Sequence, residues 1–300
     1  MSPNHNHNVI NYNHSFAIGI TLNIIFVIIE VIYGITADSM ALIADAGHNL
    51  SDVISLLLAW GANILAAKQA TTYRTFGFRR ATILASLISS VLLLIALGGI
   101  TLETFERLIE PQAVDALTVI TVAAIGVIIN TATALLFIKG QKDDLNIRAA
   151  YLHMAADAGI SLGVVIIGIA IYFTGWLWLD PVISLFIVII ILISAWALLK
   201  ESINLSIDAV PQGINMPDIQ SYLNNLDDIT SIHDLHVWAL STTEVALTVH
   251  IVTTNKEINN QFIEKVQLHL HDVFNIDHST IQIETANNEN SCILNNENCS

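Results

Sequence analysis

Six apolar stretches constrain this chain more than any other feature. They run over residues 15–35, 40–66, 81–108, 114–138, 149–173 and 180–203, and a membrane-crossing helix takes about 20 such residues. The segment ATILASLISSVLLLIALGGITL has no polar face to offer water, which argues against a soluble helical bundle. After residue 205 the character changes. Thirteen acidic residues follow, against only Lys256 and Lys265. The sequence therefore predicts an α-helical membrane protein of six transmembrane helices followed by a polar C-terminal domain. The acidic excess excludes nucleic acid as a partner, since phosphate must be met by Lys and Arg. It suits a domain that draws cations toward a pore.

Charges in the short loops predict the orientation. Lys68, Arg74, Arg79 and Arg80 lie between spans 2 and 3, and Lys139, Lys142 and Arg148 between spans 4 and 5. The opposite loops hold only Arg107. Both basic loops are thus expected in the cytoplasm, and an even number of spans puts both termini there too. Residues 1–14 form an N-terminal tail without Lys or Arg, so span 1 is expected to be retained, not cleaved as a secretory signal. Cys292 and Cys299 sit in an Asn-rich segment, 287–300, expected to be a flexible tail, and they do not form a disulfide framework.

Ionisable groups inside a bilayer cost about 2.5–3.5 kcal/mol each, so they point to function. Two spans carry the same pair. Span 2 reads ADAGHNLSD, giving His48 and Asp52; span 5 reads AYLHMAADAG, giving His153 and Asp157. The H-x-x-x-D spacing sets imidazole and carboxylate one turn apart on one helix face. Ala44, Ala46, Gly47, Ala155, Ala156, Ala158 and Gly159 surround the pairs, and small residues let membrane helices approach closely. Two nitrogens and two oxygens from two helices make a tetrahedral set suited to Zn2+. Cobalt, cadmium, iron and manganese remain compatible with such donors. Asp45 lies a turn before His48, but span 5 has Ala150 at the equivalent place, so Asp45 is expected beside the ligands or lining their cavity. Glu30, Asn23 and Asn130 are expected to line the same cavity or, preferably, to bond between helices, and Asp180 to cap span 6.

No H-E-x-x-H, G-x-S-x-G or P-loop occurs. Uphill movement of a metal must then draw on a gradient. Metal ligation needs neutral imidazole and ionised carboxylate, so binding releases protons and protons can serve as the exchanged ion. An intramembrane zinc hydrolase is the weaker reading, because four protein ligands leave no open position. A membrane metal sensor without flux is another, but it leaves the costly intramembrane ligands without a purpose.

In the soluble part, SIHDLHVWALS alternates as a strand and EVALTVHIVT follows as its hairpin partner. Residues 216–226 and 257–274 have helical spacing, and STIQIET reads as a last strand. The order α-β-β-α-β predicts a small α+β domain over residues 206–286. His236 is expected either as a bridging ligand or, preferably, as a packed strand residue. His269 and His271, two apart on a helix, are expected in solvent. Cys292 and Cys299 are weak thiolate candidates, and His5, His7 and His14 a weak metal-capture tract.

Taken together, SMALIADAGHNLSDVISLLLAW, TFGFRRATILASLI, AYLHMAADAGISLGVVI and GWLWLDPVISLFIVIIILISAWALLKESINL resemble the cation diffusion facilitator family. They are most similar to bacterial exporters of the cobalt–zinc–cadmium resistance type. The resemblance implies a homodimer of six-helix protomers in the inner membrane, each with a cytoplasmic ferredoxin-like domain, exchanging zinc for protons. It also implies transport through His48, Asp52, His153 and Asp157. HDLHVW resembles the signature of the cytoplasmic domain, where the resemblance implies a metal held by His233, His250, His278 and Glu284. Two departures stand out. KGQKDDLNIR between spans 4 and 5 has no histidine, and the loop TTYRTFGFRR places Arg74 and Phe78 where some relatives carry ligands.

Overall fold

The computed structural model describes residues 13–138, 145–254 and 260–285. Six long helices come first: α1 (Asn13–Thr36), α2 (Met40–Ala66), α3 (Ala81–Ile109), α4 (Ala116–Phe137), α5 (Leu145–Thr174) and α6 (Leu179–Ser206). Among the described residues, α3, α4, α5 from Tyr151 and α6 are long and apolar enough to cross a membrane, and α1 adds the shorter apolar run Ile20–Thr36. The described residues form two compact units, one within 1–57 and 89–197 and the other within 58–88 and 198–300.

The first unit buries a core of Phe26, Leu42, Leu97, Val119, Val122, Val164, Ile187 and Ile191 interleaved with Ala37, Ala41, Ala44, Ala123 and Ala195. Lipid is as apolar as leucine, so such helices associate through close packing and interhelical hydrogen bonds. Gly126 on α4 is an example. A Cβ there would stand 2.5 Å from Cζ of Phe26 on α1. Polar caps fix the helix starts. Asp115 caps α4, accepting from the Thr118 amide. Asp180, expected to cap its own helix, instead lies inside the first turn of α6 and serves α2. Its carboxylate accepts from the Met40 amide at 2.7 Å and from the Ser39 hydroxyl at 2.5 Å, fully buried.

The second unit contains α7 (Met216–Asn224), β1 (Ile229–Ala239), β2 (Val245–Thr253), α8 (Asn260–Phe274) and β3 (His278–Thr285). The sheet order is β1-β2-β3, with β1 antiparallel and β3 parallel to β2. The parallel pair needs a crossover, and α8 supplies it. Ile219, Leu223, Val266 and Leu270 from the helices close over Val237, Leu247, Val249 and Ile251. This is the expected α-β-β-α-β order, a ferredoxin-like kind of domain with three strands among the described residues.

The same unit holds the 2–3 loop. Ile83, Leu205 and Ala239 form a small apolar contact. Arg79 pairs with Glu244 at 3.2 Å, Arg80 with Asp208, and the Thr82 hydroxyl accepts from the Thr242 amide at 3.1 Å. Arg74 lies 4.6 Å over the Phe78 ring. Gly77 has φ of 68°, and a Cβ there would stand 3.2 Å from the Lys68 carbonyl, so this turn requires glycine.

Candidate metal centre

The two H-x-x-x-D pairs meet. His153 Nε2 lies 3.1 Å from Asp52 Oδ2 and 3.7 Å from Asp157 Oδ2. His48 Nε2 lies 3.3 Å from Asp157 Oδ1, and its Nδ1 3.9 Å from Asp52 Oδ2. The imidazoles stand edge to face, 6.0 Å between centroids. A zinc ion with ligands about 2.0–2.1 Å away separates tetrahedral donors by about 3.3–3.4 Å, and these spacings bracket that value. Asp52, His153 and Asp157 each offer a donor atom within 4.8 Å of the others; His48 stands outside that set of three, because it meets Asp157 through Nε2 and Asp52 through Nδ1, and one ring can give a single metal only one of these nitrogens.

The donor chemistry fits a cation. Asp157 is fully buried. Both its oxygens, and Asp52 Oδ2, are buried with no partner besides the two imidazoles. Anionic oxygens left in that state are costly unless a positive charge joins them. The remaining contacts run as rungs: Asp52 with His153, His48 with Asp157, then Asp45 accepting from the Ser161 hydroxyl at 3.0 Å. Residue numbers fall along α2 as they rise along α5, so the two helices run antiparallel here. Exposure falls along the ladder, from 41% and 27% at His153 and Asp52 to 0% at Asp45. Asp45 is therefore beside the donor set without a bond to it. Glu30 accepts from the Asn49 amide at 3.0 Å, the expected interhelical bond. Asn23 and Asn130 are buried as well.

A second cluster lies on the sheet. His233 and His250 are direct cross-strand partners, and Glu284 pairs with Val252, two residues along β2 from His250. Alternation along β2 puts all three on one face. His250 Nδ1 is 2.9 Å and His233 Nε2 3.5 Å from the Glu284 carboxylate, and these two nitrogens have no other partner. A resident zinc would fit this donor set. Asp234 lies outside that set, 3.5 Å from Nε2 on the far side of the His250 ring, where it can orient the imidazole; sequence reasoning did not single it out. The signal lies in the backbone: Asp234 has φ of 53° where the register shifts between His233 and His236, a bulge that re-aims side chains.

Other expected residues lie elsewhere. His278 opens β3, six residues before Glu284, and its ring meets Phe76 at 5.6 Å; it does not join the sheet cluster within one chain. His236 is 60% exposed and bonded to Asp234, not packed. His269 is stacked 4.0 Å from Tyr222 instead of standing in solvent, while His271 is exposed beside Asp272. His5, His7, Cys292 and Cys299 lie outside the described residues.

Residues 16–205 match the cation efflux transmembrane domain, and residues 211–286 match the cytoplasmic domain of cation efflux proteins. The chain belongs to the cation efflux family. A cadmium, cobalt and zinc/H(+)-K(+) antiporter of Bacillus velezensis is 36% identical over 98% of this chain and 96% of its own length. The metal cation efflux system protein CzcD of Cupriavidus metallidurans is 35% identical over 95% and 91%, and the zinc transporter ZitB of Escherichia coli 31% over 90% and 86%. The metal-bound C-terminal domain of CzcD from Cupriavidus metallidurans aligns with 24% of this chain and 99% of its own, at 32% identity and a TM-score of 0.22. As a member of the cation efflux family the protein is a membrane transporter, not an enzyme.

Proposed function

We propose that this cation efflux protein exports a divalent metal, zinc first, from the cytoplasm in exchange for protons. His48, Asp52, His153 and Asp157 carry the metal between α2 and α5. The observation that carries the reading is the convergence of the four side chains, with three buried carboxylate oxygens that meet nothing but imidazole. Protons are the natural counter-ion, because a protonated imidazole cannot ligate and a protonated carboxyl ligates weakly. Loading at higher pH and unloading at lower pH then follow from one site. The relatives named for zinc, cadmium and cobalt transport support the substrate class, and one is named for H(+) exchange.

The protein works in the inner membrane with both termini in the cytoplasm, an orientation supported by Lys68, Arg74, Arg79 and Arg80 in the 2–3 loop. It acts as a homodimer, in keeping with a cytoplasmic-domain family named for dimers. His233, His250 and Glu284, with Asp234 at hand, hold a regulatory zinc. The test is proteoliposomes carrying a proton-sensitive dye. Zinc added to one side should move protons to that side in step with its own uptake. Zinc uptake with no accompanying proton movement would refute the exchange.

A further inference from the structure

The 2–3 loop gathers positive charge in a chain that otherwise carries little of it. Lys68, Arg74, Arg79 and Arg80 are four of its 11 Lys and Arg residues, no Asp or Glu occurs from residue 53 to residue 102, and the whole chain has a net charge of −15. Loop charge orients a membrane protein wherever the side chains stand, but here three of the four line one cavity. Arg74, Arg79 and Arg80 surround a space of about 660 Å3 beside the rings of Phe78 and Trp238, and Asp208 is the one carboxylate in its lining. That volume is in the range of ligand sites, about 300–1,000 Å3. Arg79 and Arg80 pair with Glu244 and Asp208, but these pairs stand partly in solvent and hold the guanidinium groups weakly. Arg74 meets no carboxylate among the described residues. Its guanidinium lies 4.6 Å over the Phe78 ring, and backbone bonds of 2.9 to 3.1 Å with Thr71 and Gly77 fix its place in the loop.

The lining also shows where the cavity opens. Ala81 and Leu84 belong to the first turn of α3, a helix long and apolar enough to cross a membrane. Leu84 and, one turn on, Ile88 are exposed on the same helix face. Tyr73, which is 95% exposed and also lines the cavity, has the apolar ring and polar tip that are enriched at the membrane–water boundary. A basic cavity with an apolar helix face running from it into the bilayer matches the two halves of an anionic lipid.

We propose that the cavity of Arg74, Arg79 and Arg80 binds the headgroup of an anionic phospholipid, with an acyl chain along Leu84 and Ile88 of α3. The inference rests on α3 crossing the membrane and is independent of the metal reading of the intramembrane cluster. The phosphate accepts from Arg74, whose fork geometry suits two phosphate oxygens and which has no competing carboxylate. Arg79 and Arg80 add charge. A choline headgroup brings a cation that three arginines repel, so a zwitterionic lipid is disfavoured. A free phosphate ion would satisfy Arg74 but leave the apolar surface of Tyr73, Leu84 and Ile88 uncovered. Trp238 and Leu240 line the cavity too, so one lipid contacts the 2–3 loop, the start of α3 and the end of β1 together.

The test is equilibrium binding of radiolabelled phosphatidylglycerol to the full chain in a neutral detergent, with unlabelled competitors. Phosphatidylglycerol should displace the label, and phosphatidylcholine with the same acyl chains should do so at least about ten-fold less well. Arg74→Gln should weaken phosphatidylglycerol binding about five-fold, and Arg74→Gln combined with Arg80→Gln about twenty-five-fold. Lys142→Gln takes the same charge from the 4–5 loop and should leave binding unchanged. Equal displacement by the two lipids would overturn the proposal, and this comparison is made on the wild type, so a misfolded variant cannot mask it. Unchanged binding in Arg74→Gln would overturn it as well. So would equal weakening by Arg74→Gln and Lys142→Gln, which would reduce the attraction to general loop charge. Inorganic phosphate displacing the label as effectively as phosphatidylglycerol would assign the cavity to a soluble phosphate and overturn the lipid.

Discussion

Asp157 is the residue on which the candidate centre turns. Its two oxygens face both imidazoles, and neither has another partner. Losing an outer partner of a metal ligand costs about 10–100-fold in affinity, and losing a ligand should cost at least that. Asp157→Ala is therefore expected to weaken zinc binding at this centre by that factor or more in equilibrium titrations. Affinity at the wild-type centre should fall as pH is lowered, because His48 and His153 must be neutral to ligate; a flat profile from pH 8 to pH 5.5 would contradict their role. On the sheet, replacing both His233 and His250 with Ala should remove about one zinc per chain, since two of the three donors go. Metal analysis of the purified full-length variant reads this directly. These residues are legible in the sequence for different reasons. The four candidate ligands stand out because ionisable groups recur at one-turn spacing in two apolar stretches of the sequence. Asp234 does not, because its place depends on a left-handed backbone at a bulge. His278 is visible as a last-strand residue, but only the register shows which end of the strand it occupies.

Helix termini and crossings, at the scale of elements, hold details that sequence spacing does not reveal. Asp180 precedes a proline in the sequence, which reads as a cap of its own helix, yet its carboxylate binds the start of α2 across 140 residues of chain. Only the approach of α6 to α2 could reveal this. The same contact makes a prediction. Asp180→Asn removes a charged acceptor from a fully buried pair of bonds, worth about 1.5–3 kcal/mol for a hydrogen bond to a charged group. A lower melting temperature in detergent is expected, while a variant as stable as wild type would contradict the capping role. The α1–α4 crossing is tighter still. Gly126→Ala drives a methyl to 2.5 Å from the Phe26 ring and should cost about 1–3 kcal/mol by overpacking. The six helices and the α-β-β-α-β order were readable because apolar length and alternation repeat over many residues. Which helices touch was not, because both faces of each span are apolar.

At the scale of the whole molecule, the second unit joins the 2–3 loop to the sheet domain, and magnitudes separate its contacts. Arg79 and Glu244 are 40% and 35% exposed, and such pairs contribute about 0–1 kcal/mol. Ile83 is 2% exposed against Leu205 and Ala239, where truncation costs about 2–5 kcal/mol. Ile83→Ala should therefore destabilise this unit more than Arg79→Ala, a ranking that hydrogen exchange on β1 can check. Deleting residues 206–300 should weaken or abolish metal-dependent stimulation of transport, which bears on the regulatory role of the sheet cluster alone. The central claim, that zinc crosses through the cluster of α2 and α5, is tested most directly by zinc flux into sealed proteoliposomes under an imposed pH gradient. Wild type and Asp157→Ala are compared at equal protein. Gradient-driven uptake in the wild type that is lost in Asp157→Ala is the predicted result. Uptake that persists undiminished in Asp157→Ala would contradict it and move the pathway elsewhere in the chain.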